Sequence, residues 1–280
     1  MTIIEAAMQR AKRLREEQSG QDPGAKVTAR ATRRRGSEAD LPPVPTVRLV
    51  FPRVEPDTRA CIANRVLITP ESDRYSPASD AYRIIRTRLS HRIDTRGWNS
   101  LAVTSAGPDE GKSVTVLNLG LAIANEKKGN VFLLDLDLRN PSLCQYLGVQ
   151  PRTGIGDYLA GLCSLEDLFV AVGSENLLLA GGHTSHENSS ELLGGRRLSE
   201  LLAYIRTLDP NALIIADLPP LLSVADAMVV APMLSATLLV VAEGKTRRDG
   251  LARAMEVLTG VTMAGVVLNQ SREAVQNYYG

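Results

Sequence analysis

The sequence predicts an α/β protein: a mostly parallel β-sheet with helices on both faces, preceded by a flexible N-terminal extension. Three observations predict it. Short aliphatic runs, nearly continuous rather than alternating, recur between residues 100 and 269, as strands buried on both faces require. Between them lie longer segments with apolar residues at helical spacing, so strand and helix alternate as crossover connections do. Upstream, seven of the fifteen prolines fall between Pro23 and Pro70, which reads as an extended, poorly packed stretch.

Composition narrows the function classes. The 280 residues are 44% hydrophobic and 22% charged, ordinary for a globular chain that holds one large α/β domain plus an extension. Aromatics make up only 4%, so the core must come from Leu, Val, Ile and Ala. A formal charge of +1 argues against bulk nucleic-acid binding. That sum hides an asymmetry: residues 1–69 carry 13 Lys+Arg against 8 Asp+Glu (+5), and the rest carry 19 against 23 (−4). Cys61, Cys144 and Cys163 are odd in number and form no CxxC, and no secretory signal is apparent, a pattern that fits a reducing cytoplasm. The longest uncharged run, Ala227–Ala242, contains Pro232 and Ser235 and falls short of the ~20 apolar residues a membrane span needs.

In chain order, residues 1–18 place Ile4, Met8, Ala11 and Leu14 at helical spacing among Arg10, Lys12, Arg13 and Arg15. This is a short basic amphipathic helix, either a docking or membrane-surface element or a weakly folded helix on a tether. Residues 19–70 are expected to be a Pro/Arg-rich linker, 71–269 the folded domain, and 270–280 a tail bearing Tyr278 and Tyr279. The domain should open with a helix over 78–94, where Ile85, Leu89 and Ile93 recur at i, i+4, i+8. Strands follow at 100–105, 131–137, 176–180, 211–217, 236–242 and 263–269, with helices near 112–128, 190–207, 224–232 and 247–258.

The first strand runs into "TSAGPDEGKSV". Ala106, four residues, then Gly111-Lys112-Ser113 matches the phosphate-binding loop with alanine for its first glycine. Strand before and helix after supply the context that the motif requires. Backbone N–H groups of Ala106, Gly107, Pro108's neighbours Asp109 and Glu110, and of Gly111 through Val114 would surround the phosphates at the helix N-terminus. Lys112 would reach the β- and γ-phosphates and the Ser113 hydroxyl would ligate Mg²⁺. The fold is thereby a P-loop NTPase, and ATP and Mg²⁺ are the expected cofactors.

Such a site needs a second acidic group at a neighbouring strand end. "ALIIADLPP" offers Asp217. "VFLLDLDLRNP" offers Asp135 and Asp137, one pleat apart and so on one side of an extended strand. A structural alternative is that one of the pair caps the following helix.

Together, "TSAGPDEGKS", "FLLDLDLRNP" and "IIADLPPLLSVADA" resemble the Walker A, A′ and B motifs of the bacterial tyrosine kinases, the autokinases of polysaccharide synthesis and export. The similarity covers roughly residues 76–280 and continues through "GIGDYLAG", "ENLLLAGG", "SSELL" and "GVVLNQ". The short tail and basic helix look closest to the autokinases encoded beside exosortase-type systems. The resemblance implies that Lys112 and Ser113 hold phosphate and Mg²⁺, and that Asp137 and Asp217 complete the metal site. It implies Asp135 or Asp137 as the base toward a tyrosine hydroxyl, Arg139 near the developing charge, and Asn269 on the adenine side. It further implies a transmembrane chain-length determinant as activator, hence cytoplasmic protein at the inner face of the plasma membrane, and phosphorylation of Tyr278 and Tyr279 in trans.

Asp80, Arg83 and Arg86 lie three apart on one helical face. In the resembling family a Glu-x-x-Arg-x-x-Arg stripe makes contacts within a ring of subunits; here aspartate takes the first place, and a solvated charged face is the plainer alternative. His183 and His186 lack accompanying ligands and read as a polar loop. The rival function is a nucleotide-switch ATPase of the chromosome- or septum-positioning type. Those enzymes carry an additional lysine near the start of the loop, which Ala106–Glu110 lack.

Overall fold

The computed structural model describes residues 51–67, 76–126 and 129–271. The expected helix at 1–18, most of the linker, and Tyr278 and Tyr279 lie outside the described residues. In chain order the elements are β1 (Arg53–Val54), α1 (Thr58–Ala63), α2 (Pro77–Arg96), β2 (Ser100–Ser105), α3 (Lys112–Ala124), β3 (Val131–Asp135), α4 (Leu143–Leu147), α5 (Ile155–Leu159), β4 (Val170–Val172), β5 (Leu177–Ala180), α6 (Ser189–Gly194), α7 (Arg196–Leu208), β6 (Leu213–Asp217), α8 (Asp226–Val230), β7 (Ala236–Ala242), α9 (Arg248–Val257) and β8 (Met263–Asn269).

The strands form one sheet in the order β1-β4-β5-β3-β6-β2-β7-β8. Neighbours are parallel except β4 and β5. The predicted mostly parallel sheet is therefore the observed one. Every residue of β2, β3, β5, β6 and β7 is buried, which is why these runs are aliphatic throughout rather than alternating. Helix α2 is capped by Ser76, whose side chain accepts the Ser79 N–H, and stops at Gly97 in the left-handed region. Its Leu89 and Ile93 join the core, and Ile85 packs against it.

The expected linker requires correction, because residues 51–67 are built into the domain. β1 pairs with β4, and Phe51 stacks edge-on against Phe169, which meets Phe132 in turn. Cys61 and Val66 are core residues, and Asn118 on α3 grips the segment by accepting the Leu67 N–H at 2.7 Å and donating to the Arg65 carbonyl at 3.0 Å. A two-residue strand and a six-residue helix are too short to leave a period in a proline-rich sequence.

Other boundaries also differ from expectation. The helix foreseen over 190–207 is two, broken where Gly195 takes an extended conformation between α6 and α7. The helix foreseen near 224–232 is five residues of α8 followed by a 3₁₀ turn at Ala231–Met233, where Pro232 cannot donate an N–H. Strand β3 ends at Asp135, so Asp137 lies beyond it; Asp137 instead opens a turn, accepting the Asn140 N–H through its carbonyl at 3.0 Å and its carboxylate at 3.2 Å. No described helix is long and apolar enough to cross a membrane.

Gly148 ends α4 with φ of +66°, and a Cβ there would stand 2.5 Å from the Asp57 Cβ and 2.9 Å from the Ala60 Cβ. Gly148→Ala is expected to lower the unfolding free energy by roughly 2 kcal/mol, about half from left-handed strain and the rest from pushing α1 away. Urea denaturation measures this; a loss of only about 1 kcal/mol, the strain alone, would mean that crowding against α1 costs nothing, and a smaller loss would contradict both contributions.

Candidate active site

The loop between β2 and α3 is shaped by its own side chains and by two distant segments. Ser105 donates its hydroxyl to the Gly107 carbonyl at 2.7 Å. The buried Glu110 carboxylate folds back beneath the loop, accepting the Ala106 N–H at 2.9 Å and the Thr246 hydroxyl at 2.6 Å. Asn269 donates to the Glu110 carbonyl at 3.0 Å, and Gln270 and Lys245 donate to the Asp109 carbonyl at 3.0 and 3.1 Å. In a planar trans peptide the N–H points opposite to the C=O. Fixing the carbonyls of Asp109 and Glu110 toward these donors therefore directs the N–H groups of Glu110 and Gly111 to the opposite side.

Gly111 has φ of +90°, and a Cβ on it would come within 1.9 Å of the Asn269 amide nitrogen. Conformation and space both demand glycine. Beyond it, the Thr115 N–H makes the first backbone bond of α3, to the Gly111 carbonyl at 2.9 Å. The N–H groups of Lys112, Ser113 and Val114 have no partner within the helix, the usual state of a first turn, and the positive end of the helix dipole lies there. Pro108 and Asp109 sit exposed at the loop's tip.

Lys112, its side chain largely buried, points at the acidic strand ends: its Nζ is 2.7 Å from Asp137 Oδ2, 3.6 Å from Asp217 Oδ1, and donates to Ser113 Oγ at 3.2 Å. Asp135 and Asp217 are direct partners in the β3–β6 ladder, so the register itself sets two carboxylates side by side. Burial works against the charge of Lys112, but the carboxylates of Asp217, Asp137 and Asp135 outweigh it and hold the ammonium well above its ordinary value. Burial pushes the Asp217 carboxyl up, offset in part by Lys112 and Ser113. Burial and then Asp217 push the Asp135 carboxyl well above the carboxylate range.

Asp135 does cap the following helix: its Oδ2 accepts the N–H groups of Ser142 at 2.9 Å and Leu143 at 3.0 Å, at the start of α4. Its Oδ1, and both oxygens of Asp217, are buried without a hydrogen-bond partner. Three carboxylates thus face one ammonium beside the Ser113 hydroxyl. An oxygen-lined site with excess negative charge and unsatisfied carboxylate oxygens fits a hard divalent cation, which Ser113, Asp137 and Asp217 would hold.

The remaining predicted residues are distributed as follows. Arg139, two residues past Asp137, donates its Nε–H to Ser189 Oγ at 2.9 Å and lies 3.6 Å from the buried Asp226. Asn269 sits against Gly111, on the loop's backbone. Asp80 and Arg83 pair with each other on the exposed face of α2 at 2.9 Å, whereas Arg86 turns to Glu126, just past α3, at 2.6 Å. The stripe is therefore two exposed residues and one that braces the domain. His183 lies 3.8 Å from Asp157, and the His186 N–H bonds the Leu138 carbonyl. Thr246, Lys245, Gln270, Ser189 and Asp226 went unassigned in the sequence. Ser189, Asp226 and Gln270 fall inside the stretches "SSELL", "IIADLPPLLSVADA" and "GVVLNQ" with no role read for them, and Lys245 and Thr246 left no signal.

Raised carboxyl values make the folded protein take up protons that the unfolded chain has already released. Stability is thus lost as pH rises from the ordinary carboxylate range toward the raised values, and stays lower above them. Without nucleotide, Asp217→Asn is expected to stabilise the protein by about 1 kcal/mol near neutral pH, and the gain should vanish toward pH ~4. Thermal melts across pH measure it; a pH-independent gain, or a loss at neutral pH, would contradict the charge imbalance.

No protein-family model matches the chain. It is similar to the tyrosine-protein kinase YwqD of Bacillus subtilis (strain 168), at 31% identity over 204 residues, covering 72% of this chain and 85% of YwqD. It is also similar to the tyrosine-protein kinase etk of Escherichia coli (strain K12), at 31% identity over 69% of this chain, and there it spans only 26% of the relative's length. Among solved structures, the chimerical protein CapA2B2 superposes with a TM-score of 0.68 at 26% identity, covering 75% of this chain and 91% of that one. The kinase domain of Escherichia coli ETK superposes with a TM-score of 0.64 at 30% identity, covering 72% and 79%. An ATP complex of a Cyanothece McdA variant, at 17% identity and a TM-score of 0.50, shares the fold alone. The chain belongs to the bacterial tyrosine-protein kinase family.

Proposed function

We propose that this chain is a Mg²⁺-dependent protein tyrosine autokinase that uses ATP and regulates the polymerisation and export of an exopolysaccharide or capsule. The observation that carries the reading is the convergence of Lys112 on Asp137 and Asp217 directly beneath a loop whose N–H groups are turned to one side. Phosphoryl transfer asks little covalent chemistry of a protein, and positioning and charge neutralisation supply most of the acceleration. The loop and first turn from Gly107 to Val114, Pro108 aside, bind the triphosphate through backbone N–H groups, the Ala106 N–H being taken by the Glu110 carboxylate, and Asn269, against Gly111, serves the adenine side. Lys112 exchanges its carboxylate partners for phosphate oxygens. Ser113, Asp137 and Asp217 hold Mg²⁺, which when bound neutralises charge on the transferring group.

In the step itself a tyrosine oxygen bonds to the γ-phosphorus as the bond to the bridging oxygen of the departing ADP breaks. The phenol proton passes to a carboxylate of the Asp135–Asp137 pair, and Arg139 stands toward the negative charge. The acceptors are Tyr278 and Tyr279 of a neighbouring copy, and their charging by phosphate loosens the assembly. Asp80 and Arg83 contribute to the contact between copies, with Arg86 fixing the helix that carries them. A transmembrane polysaccharide chain-length determinant activates the enzyme at the inner face of the membrane, and the basic segment at residues 1–18 is a second route to that surface.

Incubation of the protein with ATP and Mg²⁺ is expected to yield phosphotyrosine mapping to Tyr278 and Tyr279. Lys112→Met should abolish it by a factor of roughly 10³, and the double Tyr→Phe variant should remove most incorporated phosphate while retaining ATP hydrolysis. Hydrolysis without phosphotyrosine, even with the membrane partner's cytoplasmic segment present, would sink the kinase reading. Sedimentation of the unphosphorylated protein should show an oligomer that Arg83→Glu shifts toward monomer; an unchanged profile would remove Arg83 from the interface.

A further inference from the structure

Arg139 is held more completely than a side chain at the rim of a site needs to be. Its main chain is fixed twice by the segment after β5: the Ser185 hydroxyl donates to the Arg139 carbonyl at 2.7 Å, and the His186 N–H donates to the Leu138 carbonyl at 2.9 Å. Its side chain is fixed at one atom only. Nε–H donates to Ser189 Oγ at 2.9 Å and lies 3.6 Å from Asp226 Oδ2. Both Ser189 and Asp226 are completely buried, while the Arg139 side chain is 41% exposed.

Asp226 stands at the N-terminal end of α8, where the helix dipole favours a negative charge. Its Oδ1 accepts the Ser190 hydroxyl, and its Oδ2 has no hydrogen-bond partner, so the nearby guanidinium is what compensates that oxygen. A buried carboxylate with one uncompensated oxygen is expensive unless a cation answers it. Holding a guanidinium by Nε leaves its two terminal nitrogens available as a parallel donor pair, the geometry that suits a phosphoryl group.

We infer that Asp226, with Ser189, is a positioning residue for Arg139, holding the guanidinium by its Nε so that the terminal nitrogens face the transferring phosphoryl group. The inference rests on the kinase reading above. It links α6 and the start of α8, beyond the loop that follows β6, to the chemistry at β3. The site's catalytic contacts are then those of Arg139, and Asp226 acts only through it.

The test is a double-mutant cycle in the full chain with ATP and Mg²⁺, combining Arg139→Gln with Asp226→Asn and, separately, with Ser189→Ala. Asp226→Asn alone is expected to lower kcat about 10-fold or more, the usual cost of losing a group that orients a functional side chain, with KM for ATP changed less than about threefold. In the Arg139→Gln background the same substitution should change kcat less than about twofold, because the guanidinium it positions is gone. Equal losses in both backgrounds, or an unchanged kcat in Asp226→Asn, would overturn the inference. Where Asp226→Asn fails to fold, judged by its thermal melt, Ser189→Ala carries the same cycle with the same two outcomes. Wild-type protein that forms no phosphotyrosine defeats the kinase reading instead, and the cycle read on ATP hydrolysis then decides whether Asp226 acts through Arg139.

Discussion

Burying three carboxylates and one ammonium at the end of a parallel sheet costs several kcal/mol per ion in lost hydration, and the surrounding fold is arranged around that expense. The carboxylates cannot separate. Two of them are set side by side by the β3–β6 register, and the third is turned back by the tight turn that follows β3. Lys112 is drawn in by all three and answers only part of their charge. The strands that fix this geometry are buried along their whole length, so relaxation by sliding or bending would disturb the core. The consequence is a site strained electrostatically in the direction that a divalent cation relieves.

Backbone geometry has a comparable part in the loop above. The carbonyls of Asp109 and Glu110 are taken up by Lys245, Asn269 and Gln270, and the Glu110 side chain anchors the loop from beneath. None of these groups has to touch a nucleotide to matter. By occupying the carbonyls they leave the N–H groups directed one way, which separates a phosphate-binding loop from an ordinary turn between strand and helix.

The sequence was informative wherever a period or a spacing reached the length of an element. The six long aliphatic runs, the helix over Ile85, Leu89 and Ile93, and the loop at Gly111-Lys112-Ser113 were all legible, as was the grouping of Asp135, Asp137 and Asp217. What escaped was set by tertiary contact. β1 and α1 are too short to show periodicity and are ordered by Phe169, Asn118 and the crowding at Gly148. The end of β3 depends on its neighbour's register, which a single sequence does not display. Asp135 proved to be both a site carboxylate and a helix cap, two roles that spacing alone presents as alternatives. Thr246 comes from a turn without a motif and Asp226 from the end of the Walker B stretch, and their roles exist only once those segments meet the loop or Arg139.

The ties on the phosphate-binding loop come from 136 residues downstream, at Lys245 and Thr246, and from 159 and 161 residues downstream, at Asn269 and Gln270. A chain made from its N-terminus produces the loop early and its restraints last. Until the turn after β7 and then β8 take their places, the carbonyls of Asp109 and Glu110 lack these donors, and closing so long a span must precede any gain from it. An unfinished or prematurely truncated chain therefore possesses every residue of the nucleotide motif and no rigid cradle. The loop's rigidity is thus a property of the finished sheet rather than of the motif alone.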